Sequence, residues 1–138
     1  MILKIIYIAP MKALAKERLK DWVKRFMSNK ELNKSVLELT GDYTPDLEAL
    51  MAADILITTP EKWDGISRNW ANRSYVSQSA LIIFDEIHLL GQDRGLVLEV
   101  IVSRMNLIAS KTGSKVRMIG LSTAMANGSD VGDWFGVK

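Results

Sequence analysis

The sequence predicts an α/β fold built on a parallel β-sheet. Five short apolar segments rich in Ile, Leu and Val recur along the chain, with little alternation of apolar and polar residues. Such segments are typical of strands that are buried on both faces of a parallel sheet. Stretches with helical periodicity lie between most of them, which indicates a doubly wound layer structure. The predicted strands are Lys4–Ala9, Ser35–Leu39, Asp54–Thr58, Ala80–Phe84 and Arg117–Leu121.

The clearest predicted helix follows Pro10. Its apolar residues recur at steps of three and four and form one stripe that we expect to face the sheet. This stripe consists of Met11, Leu14, Ala15, Leu19, Trp22, Val23, Phe26 and Met27. Four lysines at steps of four form a second stripe, in which each like-charged pair costs roughly 0.2–0.5 kcal/mol. They are Lys12, Lys16, Lys20 and Lys24, and we interpret the last three as a solvated face.

Three further helices are predicted. One begins at Pro60 with Thr59 as its N-cap, because proline is favoured at the first helical position. A long helix runs from Leu96 to Ser110, and the last begins near Ser129 or Asp130 and ends at Gly136. The inward-facing residues of the long helix are Val97, Val100, Ile101, Met105 and Ile108. The sequence shows no internal repeat, linker or second domain.

Composition limits the function classes that remain. The 138 residues, 48% hydrophobic and 25% charged, are typical of one globular domain and exclude disorder. Cysteine is absent and His88 is the single histidine, so a metal would need oxygen ligands. No apolar run reaches the roughly 20 residues that cross a bilayer, and we expect no membrane partner. The first 30 residues carry eight Lys or Arg against two Asp or Glu, which is compatible with a polyanion partner.

The strand ends are the places to look for chemistry, because ligands of open parallel sheets bind beyond the carboxyl ends of the strands. Asp85 and Glu86 follow directly after the buried run that ends at Phe84. Two adjacent carboxylates there are costly unless water or a cation reaches them. Mg²⁺ prefers one or two carboxylates together with phosphate oxygens and water. This pattern favours phosphoryl transfer, with Asp85 holding the metal and Glu86 deprotonating the attacking water. The alternative is that one of them only caps the next turn.

The strand ends together resemble the motifs of superfamily 2 helicases. Four segments in the family's order resemble its motifs Ia, Ib, II (in the DExH form) and III: Ala9–Leu14, Thr59–Asp64, Asp85–His88 and Ser122–Ala124. The run Asp85–Gly91, with Arg94 and Gly95 after it, narrows the resemblance to the Ski-like branch. Within that branch the chain is most similar to the double-cassette RNA helicases of the spliceosome and of the activating signal cointegrator complex.

The resemblance implies a RecA-like (P-loop NTPase) domain that uses ATP and Mg²⁺. Asp85 and Glu86 would hold Mg²⁺, partly through water, and activate the attacking water. His88, with Ser122 and Thr123, would couple the nucleotide state to a second RecA-like domain. The residues implied to lie along the backbone of RNA, or of DNA, are Pro10, Lys12, Gly41, Thr59, Pro60 and Lys62. For Lys12 the position at a helix N-terminus also favours phosphate, and such contacts would be largely blind to sequence.

The sequence departs from the family pattern in two important respects. It contains no G-x-x-x-x-G-K-[ST] phosphate loop, which the family places before the first strand, and no second RecA-like domain with its arginine finger. We therefore interpret residues 1–138 as a partial RecA-like helicase ATP-binding domain, spanning motifs Ia to III and lacking its N-terminal phosphate-loop unit. We expect this piece alone to be inactive as an ATPase.

The parent protein is expected to be an ATP-dependent helicase that unwinds RNA. A DNA-directed helicase of the same branch is one alternative. The other is a non-catalytic helicase cassette that acts as a protein-interaction or regulatory module, although the intact Asp85 and Glu86 favour an enzyme. We expect an intracellular location, in the nucleus or the cytoplasm, and membership of a larger ribonucleoprotein or coactivator complex.

Overall fold

The strands of the molecule form one parallel sheet. A computed structural model describes residues 3–41, 44–89 and 92–122. In these ranges the strands are β1 (Lys4–Ile8), β2 (Val36–Leu39), β3 (Ile55–Thr58), β4 (Ser79–Phe84) and β5 (Arg117–Gly120). They lie in the order β2-β3-β1-β4-β5, and every neighbouring pair is parallel. All five predicted strands are confirmed, and each end agrees within one residue.

The helices flank this sheet. They are α1 (Lys12–Trp22), α2 (Leu47–Ala52), α3 (Pro60–Ser67), α4 (Ser74–Ser77) and α5 (Gln92–Thr112), with a π-helical turn at Val23–Met27 and 3₁₀ turns at Trp70–Asn72 and Ile87–Leu89. The predicted start at Pro60 is confirmed. The long helix begins four residues before Leu96, because its first turn is polar and carries no apolar period. The sequence did not predict α2 and α4, because they have too few residues to show an apolar period. The predicted helix at Ser129 lies outside the described residues.

Alternate residues of each strand point to opposite faces of the sheet. The face that carries Ile6, Leu56 and Ile82 packs against residues of α2, α3, α4 and α5, and we call it the α5 face. The face that carries Tyr7 and Ile83 packs against α1, and we call it the α1 face. The side chains that fill the core of the α5 face include Trp63, Ile66, Tyr75, Val76, Leu98, Ile101, Met105 and Ile108.

The predicted apolar stripe of α1 is wrong at both ends. Ala15 is buried and the central residues of the stripe are half-buried, whereas Met11 and Met27 are each 43% exposed. Met11 is the N-cap and has an extended backbone, so it lies outside the helical period. Met27 lies in the π-helical turn, where the 3.6-residue spacing no longer holds.

The long helix α5 is amphipathic only in part. Ile101, Met105 and Ile108 are buried as predicted, but Val100 is 46% exposed. The prediction for Val100 is wrong because the buried face of α5 is centred between Ile101 and Val102. At about 100° per residue, Val100 lies on the far side of Ile101 from that centre. Within the described ranges, no helix is both long enough and apolar enough to cross a membrane.

Candidate active site and nucleic-acid interface

The carboxyl edge of the sheet brings three strand ends together. β1 lies between β3 and β4, and all three strands run in the same direction. The backbone ladder continues past the strands, because Ala9 N–H donates to the Thr58 carbonyl at 2.8 Å and Asp85 N–H donates to the Ile8 carbonyl at 3.0 Å. Asp85 is therefore held by its backbone against the central strand, beside the segments that begin at Pro10 and Thr59.

Asp85 points to the α1 face and is surrounded by groups of that face. The Tyr7 hydroxyl donates a hydrogen bond to Asp85 Oδ2, and Arg18 Nη2 lies 3.9 Å from the same oxygen. The Arg18 guanidinium also lies over the Tyr7 ring, 5.7 Å from its centre. Burial raises the pKa of the Asp85 carboxyl above its ordinary value, although a backbone hydrogen bond with Glu86 opposes the shift. A carboxylate in this environment is stabilised by a nearby cation.

Glu86, His88 and Ser122 lie next to one another. Glu86 has φ +52°, in the left-handed region that residues with a side chain seldom adopt and that is often found at functional sites. Glu86 Oε2 lies 3.0 Å from His88 Nε2, and His88 Nδ1 lies 3.2 Å from Ser122 Oγ. The Ile87 N–H donates to the Leu121 carbonyl at 3.2 Å and joins the two segments. Thr123, the other predicted coupling residue, lies outside the described residues.

The side chains at this edge suit a Mg²⁺ ion that takes most of its ligands from phosphate oxygens and water. Among the residues that the structure describes, no group of three or more His, Cys, Asp or Glu side chains could hold a metal ion. Asp85 and Glu86 supply two carboxylates, which would leave the other coordination positions of an ion open to other ligands. Mg²⁺ commonly binds one or two carboxylates and takes its remaining ligands from phosphate oxygens and water. The residues present fit that arrangement.

Two of the predicted backbone-binding lysines converge on one glycine. Gly41 has φ +59°, and a Cβ added there would lie 3.0 Å from Lys12 Nζ. Lys62 Nζ donates to the Gly41 carbonyl at 2.9 Å and to Thr44 Oγ1 at 2.8 Å. The start of the segment after β2 is thus bound by Lys62 of α3 and approached by Lys12 of α1. This arrangement places positive charge along the carboxyl edge, where a phosphate backbone could bind.

The other predicted backbone-binding residues are buried. Thr59 is 8% exposed, and the rings of Pro10 and Pro60 are buried as well. Thr59 is the N-cap of α3 by position, but its side chain makes no capping hydrogen bond. These three residues shape the ends of β1 and β3, and the carbonyls of Pro10 and Thr59 already accept hydrogen bonds from Arg94 and from the Trp63 N–H.

Four polar residues at this edge were not predicted from the sequence. Tyr7 and Arg18 contact Asp85, and Arg94 forms hydrogen bonds to Glu61 and to the Pro10 carbonyl. The sequence indicates only that Tyr7 is part of a strand, and Tyr7 lies beside Asp85 because β1 pairs with β4. Glu61 and Arg94 are 33 residues apart, and no local pattern connects them.

Comparison with known proteins identifies relatives over nearly the whole chain. The DEAD/DEAH box helicase family model matches residues 3–131. The chain is 59% identical over 134 residues to activating signal cointegrator 1 complex subunit 3 of Danio rerio. The aligned region covers 97% of this chain and 9% of that protein. The chain is also 56% identical over 135 residues to RQC trigger complex helicase SLH1 of Saccharomyces cerevisiae. The aligned region covers 98% of this chain and 7% of that protein. The chain spans less than a tenth of the length of these curated relatives.

A solved structure confirms the fold. The crystal structure of the DUF1998 helicase MrfA bound to DNA and AMPPNP is similar with a TM-score of 0.82 and 23% identity, over 99% of this chain and 20% of that chain. The parallel sheet with flanking helices is that of RecA-like helicase domains, as the sequence predicted. The resemblance to the Ski-like helicases is confirmed by the relatives above. The chain belongs to the DEAD/DEAH box helicase family.

Proposed function

We propose that this chain is part of an ATP-dependent helicase that separates RNA strands, and that it supplies motifs Ia to III of a RecA-like domain. The observation that supports this best is the arrangement of Glu86 between Asp85 and His88 at the carboxyl edge, with Ser122 in contact with His88. Family membership supports the use of ATP and Mg²⁺. A larger complex as the setting is supported by the name of the Danio rerio relative, and the location that we propose is the nucleus or the cytoplasm.

In this proposal each side chain has a separate role. Asp85 is held by Tyr7 and Arg18 and, with Glu86, would hold Mg²⁺, partly through water. When bound, Mg²⁺ neutralises charge on the phosphate oxygens. Glu86 accepts the proton of the attacking water, and the phosphoryl–oxygen bond to ADP breaks as the bond to that water forms. His88 contacts both Glu86 and Ser122 and would transmit a change of nucleotide state from one to the other. Ser122 with Thr123 would pass this change to a second RecA-like domain.

The nucleic-acid role rests on the cations at the same edge. Lys12 Nζ approaches Gly41 and Lys62 Nζ donates to its carbonyl. Pro10, Thr59 and Pro60 lie within three residues of these lysines in the sequence. We assign RNA rather than DNA because the motifs resemble those of the double-cassette RNA helicases, and the relatives at more than 50% identity support that resemblance. Binding is expected to depend strongly on salt and little on sequence.

The proposed function is tested with the full-length protein that contains this chain. We expect ATP hydrolysis that RNA stimulates, and unwinding of an RNA duplex in preference to a matched DNA duplex. Glu86→Gln should lower the hydrolysis rate by roughly 10²–10⁴-fold, because it removes the general base. Glu99→Gln, at an exposed position of α5, is the matched control and should retain the rate.

Three results would contradict the proposal. Absence of hydrolysis in the full-length protein would indicate the non-catalytic cassette. Preference for the DNA duplex would indicate the DNA-directed alternative. An ATPase rate from the isolated 138 residues that Glu86→Gln abolishes would show that the phosphate loop and the arginine finger are not needed, against the interpretation of the chain as a partial domain.

A further inference from the structure

Arg94 connects three segments of the carboxyl edge. It lies in the first turn of α5, the helix that follows the Asp85–His88 segment. Its Nε donates to Glu61 Oε1 at 2.7 Å and its Nη2 donates to Glu61 Oε2 at 3.1 Å. The same Nη2 donates to the Pro10 carbonyl. One guanidinium therefore joins α5 to the first turn of α3 and to the end of β1.

The Arg94–Glu61 contact differs from an ordinary surface ion pair. An exposed ion pair with a single contact contributes little to stability, because water and salt screen the attraction between its charges. Here both carboxylate oxygens are engaged by one planar group, the geometry in which arginine binds carboxylates most strongly. Burial by itself would raise the pKa of Glu61, but the hydrogen bonds from Arg94 and from its own backbone, with the charge of Arg94, lower it overall. Glu61 is thus ionised and held by its partner.

The two segments that Arg94 joins both carry nucleic-acid-binding candidates. Pro10 lies two residues before Lys12, and Glu61 directly precedes Lys62. Lys12 and Lys62 meet at Gly41, so their spacing depends on how the end of β1 is placed relative to α3. Within the described residues, Arg94 is the side chain that hydrogen-bonds to both segments.

We propose that Arg94 is a positioning residue for nucleic-acid binding, which fixes the end of β1 against the first turn of α3 and links both to the segment that carries Glu86 and His88. The inference rests on the proposed function and adds a residue and a route of coupling to it. Lysine cannot replace Arg94, because an ammonium group offers one point of charge and cannot reproduce the fork to Glu61 together with the bond to Pro10.

The test measures ATP hydrolysis by the full-length protein at increasing concentrations of a single-stranded RNA. For Arg94→Gln we expect the RNA concentration that gives half-maximal stimulation to rise about tenfold, the size of a typical coupling between sites. The half-maximal RNA concentration should change by a larger factor than the rate without RNA. Arg94→Lys should recover little of the loss, and Glu61→Gln, which leaves the hydrogen bond to Pro10, should give a smaller rise. The double variant should be no worse than Arg94→Gln, because that variant already removes the contact with Glu61.

Arg25→Gln is the matched control. Arg25 Nε forms a comparable contact with Asp21 at 3.0 Å on the exposed side of the molecule, and this variant should behave like the wild type. The inference is overturned if Arg94→Gln behaves like Arg25→Gln, if Arg94→Lys restores wild-type stimulation, or if rates with and without RNA fall in parallel. If the wild-type protein shows no stimulation by RNA, the proposed function fails, and that result is separate from the comparison among variants.

Discussion

The two faces of the sheet differ in how completely they are covered. On the α5 face, Ile82, Phe84 and Trp63 are fully buried beneath four helices. On the α1 face, one helix of the described residues covers the strands, and Ile5 and Ile83 remain half-buried. The difference arises within single strands, because alternate residues of β1 and β4 contribute to different faces.

The contrast shows that stability and chemistry are separated in this molecule. The α5 face contains most of the large buried side chains and supplies most of the hydrophobic stabilisation. The α1 face carries Asp85 with its neighbours Tyr7 and Arg18, and among the described residues it has the thinner helical covering. A fully covered face would exclude water and raise the cost of an ionised Asp85 further.

Adjacent residues of β4 give the most direct test of this difference. Ile82→Ala removes a fully buried side chain from the α5 face and should lower the free energy of unfolding by about 2–5 kcal/mol. Ile83→Ala makes the same chemical change on the half-covered α1 face and should cost about 1 kcal/mol. Urea unfolding of both variants beside the wild-type chain measures the two losses. Equal losses would show that the two faces contribute equally.

A polar contact beneath the α5 face should have an intermediate effect. Arg104 Nη1 donates to Asp64 Oδ1 at 2.7 Å, to the Asp64 carbonyl at 3.1 Å and to Ser67 Oγ at 3.0 Å. Arg104→Met leaves these buried acceptors without that donor and should cost about 1–3 kcal/mol. Arg25→Met breaks the exposed pair with Asp21 and should cost at most about 0.5 kcal/mol. Denaturant midpoints of both variants test this, and a similar loss in both would contradict it.

Asp85 should give the smallest effect, and its sign should depend on pH. Because the folded state raises the pKa of this carboxyl, the folded chain binds more protons than the unfolded chain between the two pKa values. Stability therefore falls as pH rises through that window, and ionised Asp85 is destabilising above it. Asp85→Asn keeps an acceptor for Tyr7 and should be more stable than the wild type at pH 7, by up to about 1 kcal/mol.

The pH dependence gives the control for this last experiment. The advantage of Asp85→Asn should disappear as the pH falls below the ordinary Asp pKa, where the wild-type side chain is also neutral. Glu61 is the matched comparison, because its pKa is shifted down and Glu61→Gln should lose stability at neutral pH and not at acid pH. Thermal unfolding of the three proteins from pH 3 to pH 8 measures both differences. An Asp85→Asn variant that is less stable at pH 7 would contradict the assignment.

Much of the fold was predictable because its signals are local. Each strand is a short run in which β-branched and other apolar residues predominate. Helix α3 begins at Pro60, because proline is favoured at the first helical position. The site carboxylates were also predictable, since Asp85 and Glu86 follow a buried strand without an intervening turn. The errors at Met11, Met27 and Val100 occur where a regular 3.6-residue period was assumed and the backbone or the helix face does not follow it.

Buried polar groups were not predictable in the same way. Lys4 looks like an ordinary strand residue, yet it is fully buried. Its Nζ donates to the carbonyls of Met51 at 2.8 Å and Ala53 at 2.5 Å, and burial lowers its pKa, against the charge of Asp54. A lysine can be buried when its ammonium group finds such acceptors. These acceptors lie 47 and 49 residues away, beyond the reach of any sequence pattern.

The sequence by itself determined the parallel α/β class, the positions of the strands and the residues at their carboxyl ends, because hydrophobic periodicity and strand-end chemistry act over a few residues. The tertiary structure decided which of these residues meet. Tyr7 reaches Asp85, Lys12 approaches Gly41 and Arg94 binds Glu61 only after β1 has taken the central place between β3 and β4. Strand order is set by the packing of the whole chain, so contacts between distant segments exist only in the folded molecule.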